Sequence, residues 1–588
     1  MIHRRIKLES TATAHSFRYS AAVFSLSTSV RAFIGLGLLS CTACVGLGGH
    51  SRDQPLPQSF YTVTGELALV RHQPRVAAVQ YAAGAAHESD PAYLQRATEV
   101  GSDALQPTLV EGVAERWIQV DPQSLPARRA AAQAALALYR IDEAAADYRF
   151  VLANAPGGTE TEFAEVENDL EATDNNFGAR EVADRLAGFF PSSPAALRLE
   201  GLSALRADDP AAAVRGLSGA LALMPDGSDE ARNARHDMSV TLARARILSG
   251  DVEGPLSQAR SLLAQQKTSV NRFDYAVLLM TAQQETEAEE QLDILARDKD
   301  FEPVAARLVG LIEFGQGHLD AAAARFAQLV KAGKFLDDAY YYLALIADRN
   351  EDPEKALRLY AQVQKGENVV PSLLRAAALL QKHNAQNAAA ELLDRLIEDE
   401  PQRAPEIITA RARMYNESHE APKAFAVLDA AVSDYPDSTD LRYAVASLYE
   451  DEGEVGAALR ELNRIVKMRP RDPAALNALG FTLADHDKQL SHARKLIERA
   501  YAAAPKNAAI LDSMGWVTFR QGRAADAVPY LTEAYADDRS GDIAAHLGEV
   551  LWQLGQHEKA ESIWAEAALI DSDNRLLKST RKRLHAPL

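Results

Sequence analysis

Two cysteines, Cys41 and Cys44, are the entire thiol complement of this 588-residue chain, and their C-x-x-C spacing is the first place to look for chemistry. That spacing suits a metal site or a redox pair. A redox pair usually joins a strand to a helix, whereas these cysteines follow the apolar run Ala32 to Leu39. With both at one end, they cannot build a disulfide framework for the rest of the chain. A second candidate is the acidic stretch Glu160, Glu162, Glu165, Glu167, Asp169, Glu171 and Asp174. Two readings stand for it: a site for a cation or a basic partner, or the solvated face of a helix or loop. The histidines are scattered, and His486-Asp487 and Ser491-His492 fall in or near an inter-helix loop. The chain has no P-loop, G-x-S-x-G, H-E-x-x-H or EF-hand loop. No catalytic residue, metal ligand or cofactor is therefore expected, and the chain reads as non-enzymatic.

The elements that position these residues repeat along the sequence. Gly480, Gly515 and Gly548 each follow a bulky residue (Leu479, Met514, Leu547). Each is followed by one alanine (Ala493, Ala527, Ala560) and, seven residues on, by another (Ala500, Ala534, Ala567). Small residues at these points let two antiparallel helices touch, with large residues filling the flanks. The first alanine extends back through Ala458, Ala424, Ala389, Ala356, Ala322, Ala288, Gly254, Ala213, Ala179, Ala144, Val110 and Ala77. One irregular step of 41 residues separates Ala213 from Gly254, which predicts a longer loop or helix near Pro225–Glu230. The small first-helix position is kept at Ala446, Ala412, Ala377, Ala344, Gly310, Ala276, Gly201, Ala132 and Gly65, and lost at Leu242, Glu167 and Thr98. Pro156, Pro191, Pro225, Pro401, Pro436, Pro470 and Pro505 are placed to close second helices. Gly317, Gly453, Gly522 and Gly555 are placed to end first helices in the left-handed conformation. Asp90-Pro91, Asp121-Pro122 and Asp472-Pro473 read as an N-cap followed by proline at the first helical position.

This pattern resembles the tetratricopeptide repeat family over most of the chain. The resemblance implies an all-α, right-handed superhelix (α-solenoid) of about fifteen helix pairs, the N-terminal ones degenerate. The domains expected are degenerate repeats over 60–265, a regular array over 266–570 and a C-terminal capping helix over 571–588. In that helix, Lys578, Arg581, Lys582 and Arg583 read as a solvated face that also complements the helix C-terminus. The net charge of −19 is ill suited to nucleic acid, whose phosphates need clustered Lys and Arg. No nucleic-acid partner is expected.

Residues 1–40 read as an address. Arg31 precedes the apolar run, which is too short to span a bilayer but long enough for the core of a signal peptide. Leu38-Leu39-Ser40-Cys41 resembles the bacterial lipobox, in which the chain is cut before a cysteine carrying diacylglycerol. The resemblance implies a lipoprotein signal peptide over 1–40, lipidation of Cys41 and a flexible tether over 41–59. Thr42 follows the cysteine where an aspartate would retain a lipoprotein in the inner membrane of enteric bacteria. The implied location is the periplasmic face of the outer membrane, held by a lipid anchor.

In the tetratricopeptide family, first helices line a concave groove. Carried onto this chain, the groove positions are Arg307, Tyr341, Arg413, Tyr443, Asn477, Phe481, Asp512, Trp516, Phe519, Arg520, Glu549 and Trp552. Aromatics and arginines supply binding hot spots. Phe481, Trp516, Phe519 and Trp552 also admit a plainer reading, as packing between repeats. The segments 476–485, 510–517 and 546–552, together with the lipobox, look like those of large tetratricopeptide outer-membrane lipoproteins of proteobacteria. That resemblance implies a non-catalytic adaptor that binds a periplasmic carboxyl-terminal processing protease and brings it substrates such as peptidoglycan hydrolases. A scaffold for exopolysaccharide export or outer-membrane assembly is the alternative.

Overall fold

Helix starts in this chain are written by capping residues. Asp90, Ser193, Asp209, Ser228, Thr268, Ser438, Asp472, Asn507 and Asn574 each accept a backbone N–H at the head of a helix. Helix ends are written by glycine and proline. Gly317, Gly453, Gly522 and Gly555 take φ of 75° to 80° in the turn between paired helices. Pro156, Pro191, Pro225, Pro401, Pro436, Pro470 and Pro505 each stand just past the helices ending at Asn154, Phe189, Leu223, Asp399, Asp434, Met468 and Ala503. At Asp121 the expectation fails. Ser124 caps the next helix instead, its hydroxyl accepting from Ala127, and Asp121 closes the helix before it.

The computed structural model describes residues 57–586 apart from 174, 226 and 571–573. Cys41, Cys44, the leader and Asp174 therefore lie outside the described residues. The described residues form 31 α-helices from Gln58–Val70 to Arg575–Arg583, with no strand among them. They pair antiparallel along an all-α tetratricopeptide-repeat superhelix, and the last helix stands alone as a cap.

The small residues act as expected. A Cβ on Gly480 would lie 2.6 Å from Ile497, one on Gly515 2.5 Å from Leu531, and one on Gly548 2.0 Å from the Trp564 indole nitrogen. Ala493, Ala527 and Ala560 are fully buried at the same crossings. The phase slips once. Gly254 is exposed at the head of Glu253–Gln265, and the buried residues at that crossing are Ala245 and Leu256 rather than Leu242 and Gly254. The irregular step is absorbed by Asp229–Leu248, which has 20 residues where Pro194–Arg206 has 13. Seven residues make about two turns, so the longer helix keeps its buried face in register.

Most of the acidic stretch is held by arginines, while Glu160 and Glu165 stay exposed. Arg129 pairs with Glu162, Glu165 and Asp169, Arg198 with Glu167, and Arg206 with Glu171. The glutamate that breaks the small-residue pattern, Glu167, is thus held by the next repeat; burial pushes its carboxyl up, and the charge of Arg198 opposes the shift.

Contacts between repeats vary along the chain. From Ala404 onward, first helices pack on one another: Ala404–Glu417 on Thr439–Asp451, and Pro473–Asp485 on Ala508–Arg520. Near the N-terminus second helices touch as well, Pro74–Ala85 on Pro107–Val120 and Ile141–Asn154 on Asn176–Phe189, while Thr159–Glu171 packs on Pro194–Arg206 as first helix on first helix.

Candidate protein-binding face

The C-terminal first helices are the most heavily buried elements of the chain. Residues 510–519 are buried without interruption, as are 543–551. Neighbouring first helices and the capping helix cover them, because Arg575–Arg583 packs on Gly541–Gln553.

That burial corrects the groove assignment for four residues. Asp512, Trp516, Phe519 and Glu549 are at most 9% exposed and face neighbouring repeats rather than solvent. Trp516 stacks on His546 with ring centroids 4.2 Å apart, and its indole N–H donates to Asp485 Oδ1 at 3.0 Å. Phe519 packs on Trp516 at 5.3 Å. Both oxygens of Asp512 lie 2.9 Å from His546 Nδ1. Glu549 accepts two hydrogen bonds from the Arg583 guanidinium, at 2.8 and 2.6 Å.

His546 is the centre of this cluster, and sequence reasoning passed over it. Burial alone would lower its pKa. The charge and hydrogen bond of Asp512, helped by Asp485 and Glu549, outweigh burial and raise it above the ordinary histidine value. A signal was present: Asp512 and His546 stand 34 residues apart, as do Glu549 and Arg583. Opposite charges one repeat apart meet face to face across adjacent helices. Arg583 accordingly does more than solvate a capping helix.

The other groove positions remain accessible to differing degrees. Arg413 is exposed. Arg307 is half-buried, donating to Asp338 at 2.6 Å, and Tyr341 is half-buried with its ring 5.4 Å from Tyr342. Arg520 lies over Trp516 and donates to the Asp485 carbonyl at 2.8 Å. Trp552 is half-buried, edge-on to His557 at 4.0 Å. Phe481 is half-buried, 5.7 Å from His546. Tyr443 and Asn477 occupy equivalent places on successive first helices, and the Tyr443 hydroxyl and Asn477 Oδ1 have no hydrogen-bond partner. Burial pushes the Tyr443 phenol well above its usual range. Tyr443, Asn477 and Phe481 thus form a part-open patch beside a closed, packed end. Among the described residues, no group of three or more His, Cys, Asp or Glu is placed to hold a metal, and no helix is long and apolar enough to cross a membrane.

Fold and face together define a helical-repeat protein-interaction scaffold. Profiles of the tetratricopeptide repeat match residues 308–368, 416–480 and 513–575. The chain is similar to the TPR repeat-containing protein PA4667 of Pseudomonas aeruginosa, 34% identical over 214 residues, which are 36% of each chain. It is also similar to the aspartyl/asparaginyl beta-hydroxylase of Homo sapiens, 23% identical over 234 residues, 36% of this chain and 30% of that one. The chain thus spans about a third of the length of these curated relatives, 36% and 30%. Among solved structures, TTC0263, a thermophilic TPR protein of Thermus thermophilus, is 18% identical with a TM-score of 0.28, covering 31% of this chain and 99% of its own.

Proposed function

We propose that this protein is a non-catalytic adaptor, anchored in the outer membrane by lipid on Cys41, that binds a periplasmic processing protease and its envelope substrates such as peptidoglycan hydrolases. The observation that carries the reading is the unbroken run of helix pairs across the described residues, which offers extended surface and no separate catalytic domain. A tethered solenoid that grips two proteins makes their encounter effectively intramolecular, raising effective concentration without new chemistry. The Tyr443–Asn477–Phe481 patch supports a contact role. Its half-buried aromatic and amide side chains offer a bound chain the contact types that binding hot spots use.

The test is reconstitution. The purified lipoprotein alone should cleave neither peptidoglycan nor peptide, yet should accelerate a cognate processing protease on its envelope substrate. Asn477→Ala should weaken one of the two binding events without lowering the melting temperature, since it also removes a buried oxygen that has no partner. Hydrolysis by the purified chain, or no effect on any processing protease recovered with it, overturns the reading. Anchoring is tested separately: Cys41→Ser should release the protein into the soluble periplasm or leave it unprocessed, whereas Cys44→Ser should not.

A further inference from the structure

The superhelix brings inter-helix turns near its N-terminus against inter-repeat loops 299 to 359 residues later. Gln106 Nε2 donates to the Asp434 carbonyl at 2.8 Å, and the Thr108 backbone N–H to Asp437 at 3.3 Å. Arg75 donates to the Asp434 carboxylate at 3.0 Å, and Gln402 to the Asp103 carbonyl at 3.3 Å. One repeat further along each arm, Tyr139, Arg140, Ile141, Asp142 and Glu143 line a cavity with Pro470 and Arg471. The register is constant: Gln106 meets Asp434, and Tyr139 meets the loop around Pro470. It is an edge-to-edge seam between successive superhelical turns.

Two residues show that the seam is built. In the turns between paired helices, one residue sits at positive φ. In turns away from the seam that residue is glycine or an exposed polar residue such as Gln283, Glu351, Asn384, His419 or Asp487. In two turns that meet the C-terminal arm it is Leu105 (φ 55°) and Tyr139 (φ 63°). Large side chains are strained there. Tyr139 is nonetheless buried, as is Gln106, although turn tips in a solenoid ordinarily face water. Burial drives the Tyr139 phenol far up, with Asp472 adding to the shift and Arg469 and Arg471 opposing it.

We propose that these turns form a clasp that holds the superhelical turn closed, with Gln106 and Tyr139 seated against the loops 434–437 and 469–472. This goes beyond the adaptor reading and does not depend on it. A partner that reaches the inner face from the side must displace the clasp, whereas one entering along the axis need not.

A charge swap on the rim tests the clasp without touching either core. Arg75 and Asp434 are both partly exposed, with side-chain exposures of 41% and 58%. Asp434→Arg should place like charges across the seam, speeding amide exchange at 103–108 about tenfold and enlarging the radius of gyration in X-ray scattering. Adding Arg75→Asp should restore both. Tyr139→Gly gives a second readout. Tyr139 also packs in the core of its own repeats, so exchange rather than melting is read: unchanged exchange at 469–472 overturns the proposal. If the clasp is real, exchange at 469–472 rises. Unchanged exchange and scattering in Asp434→Arg, or no rescue in the double variant, also overturns it.

Discussion

His546 shows how one residue couples repeats. It is stacked against Trp516, bonded to Asp512, and near Asp485 and Glu549, on the face where the pattern left groove and inter-repeat packing both open. Its pKa is raised above 6.5 in the folded chain. Protonation therefore stabilises the fold, fully below the unfolded value of about 6.5, and the gain is lost as pH rises through the folded pKa. We expect the C-terminal repeats to melt at progressively lower temperature from neutral toward alkaline pH, and His546→Ala to remove that slope. The same substitution leaves Asp512 buried without its partner and should cost about 3–5 kcal/mol, read by chemical denaturation at pH 6. Trp516→Ala should cost about 3–5 kcal/mol as a core truncation. A mutant that keeps its melting curve but loses a partner would return Trp516 to the binding surface.

At the scale of the helix, glycine has two opposite roles. Gly548 is a contact glycine, since its Cβ would fall within the Trp564 ring. Gly112 lies in Pro107–Val120 with nothing within 4 Å of where its Cβ would be. Gly112→Ala should stabilise by about 0.5–1 kcal/mol through helix propensity. Gly548→Ala should destabilise by about 1–3 kcal/mol or more, because overpacking outweighs the same propensity gain. Paired thermal melts decide it, and equal signs for the two would mean that the close approach is not tight. Helix ends follow the same local logic. Ser124 displaced Asp121 as a cap because its hydroxyl is positioned to accept the Ala127 N–H, while Asp121 was already closing the preceding helix.

Across the whole molecule, stability is a sum of neighbouring contacts. The hydrophobic core is divided into successive clusters, the largest spanning the C-terminal repeats from Ala446 to Ala586. A quasi-one-dimensional array of this kind need not unfold in one step. We expect guanidinium denaturation followed by hydrogen exchange to lose 58–250 before 476–570, because the C-terminal first helices are enclosed by their neighbours and the N-terminal ones are less so. A single coincident transition by exchange and by circular dichroism would count against it. The clasp adds the one long-range constraint, so opening it should move the two transitions further apart.

The sequence by itself determined the helix pairs, their turns and their phase. Ala493, Ala527, Ala560 and the glycines facing them report a contact between helices about sixteen residues apart, and such a contact must recur wherever the pair recurs. Even where the phase slipped, at Gly254, the nearby Ala245 and Leu256 kept the crossing. Tertiary structure alone decided which side of those helices stays open. Burial of Asp512, Trp516 and Glu549 depends on how tightly successive first helices wind, which no single repeat specifies. The closure of Gln106 and Tyr139 on residues 434–437 and 469–472 depends on small rotations accumulated over many repeats. Local side-chain pattern fixes each rotation only loosely, and their sum sets where the two edges meet.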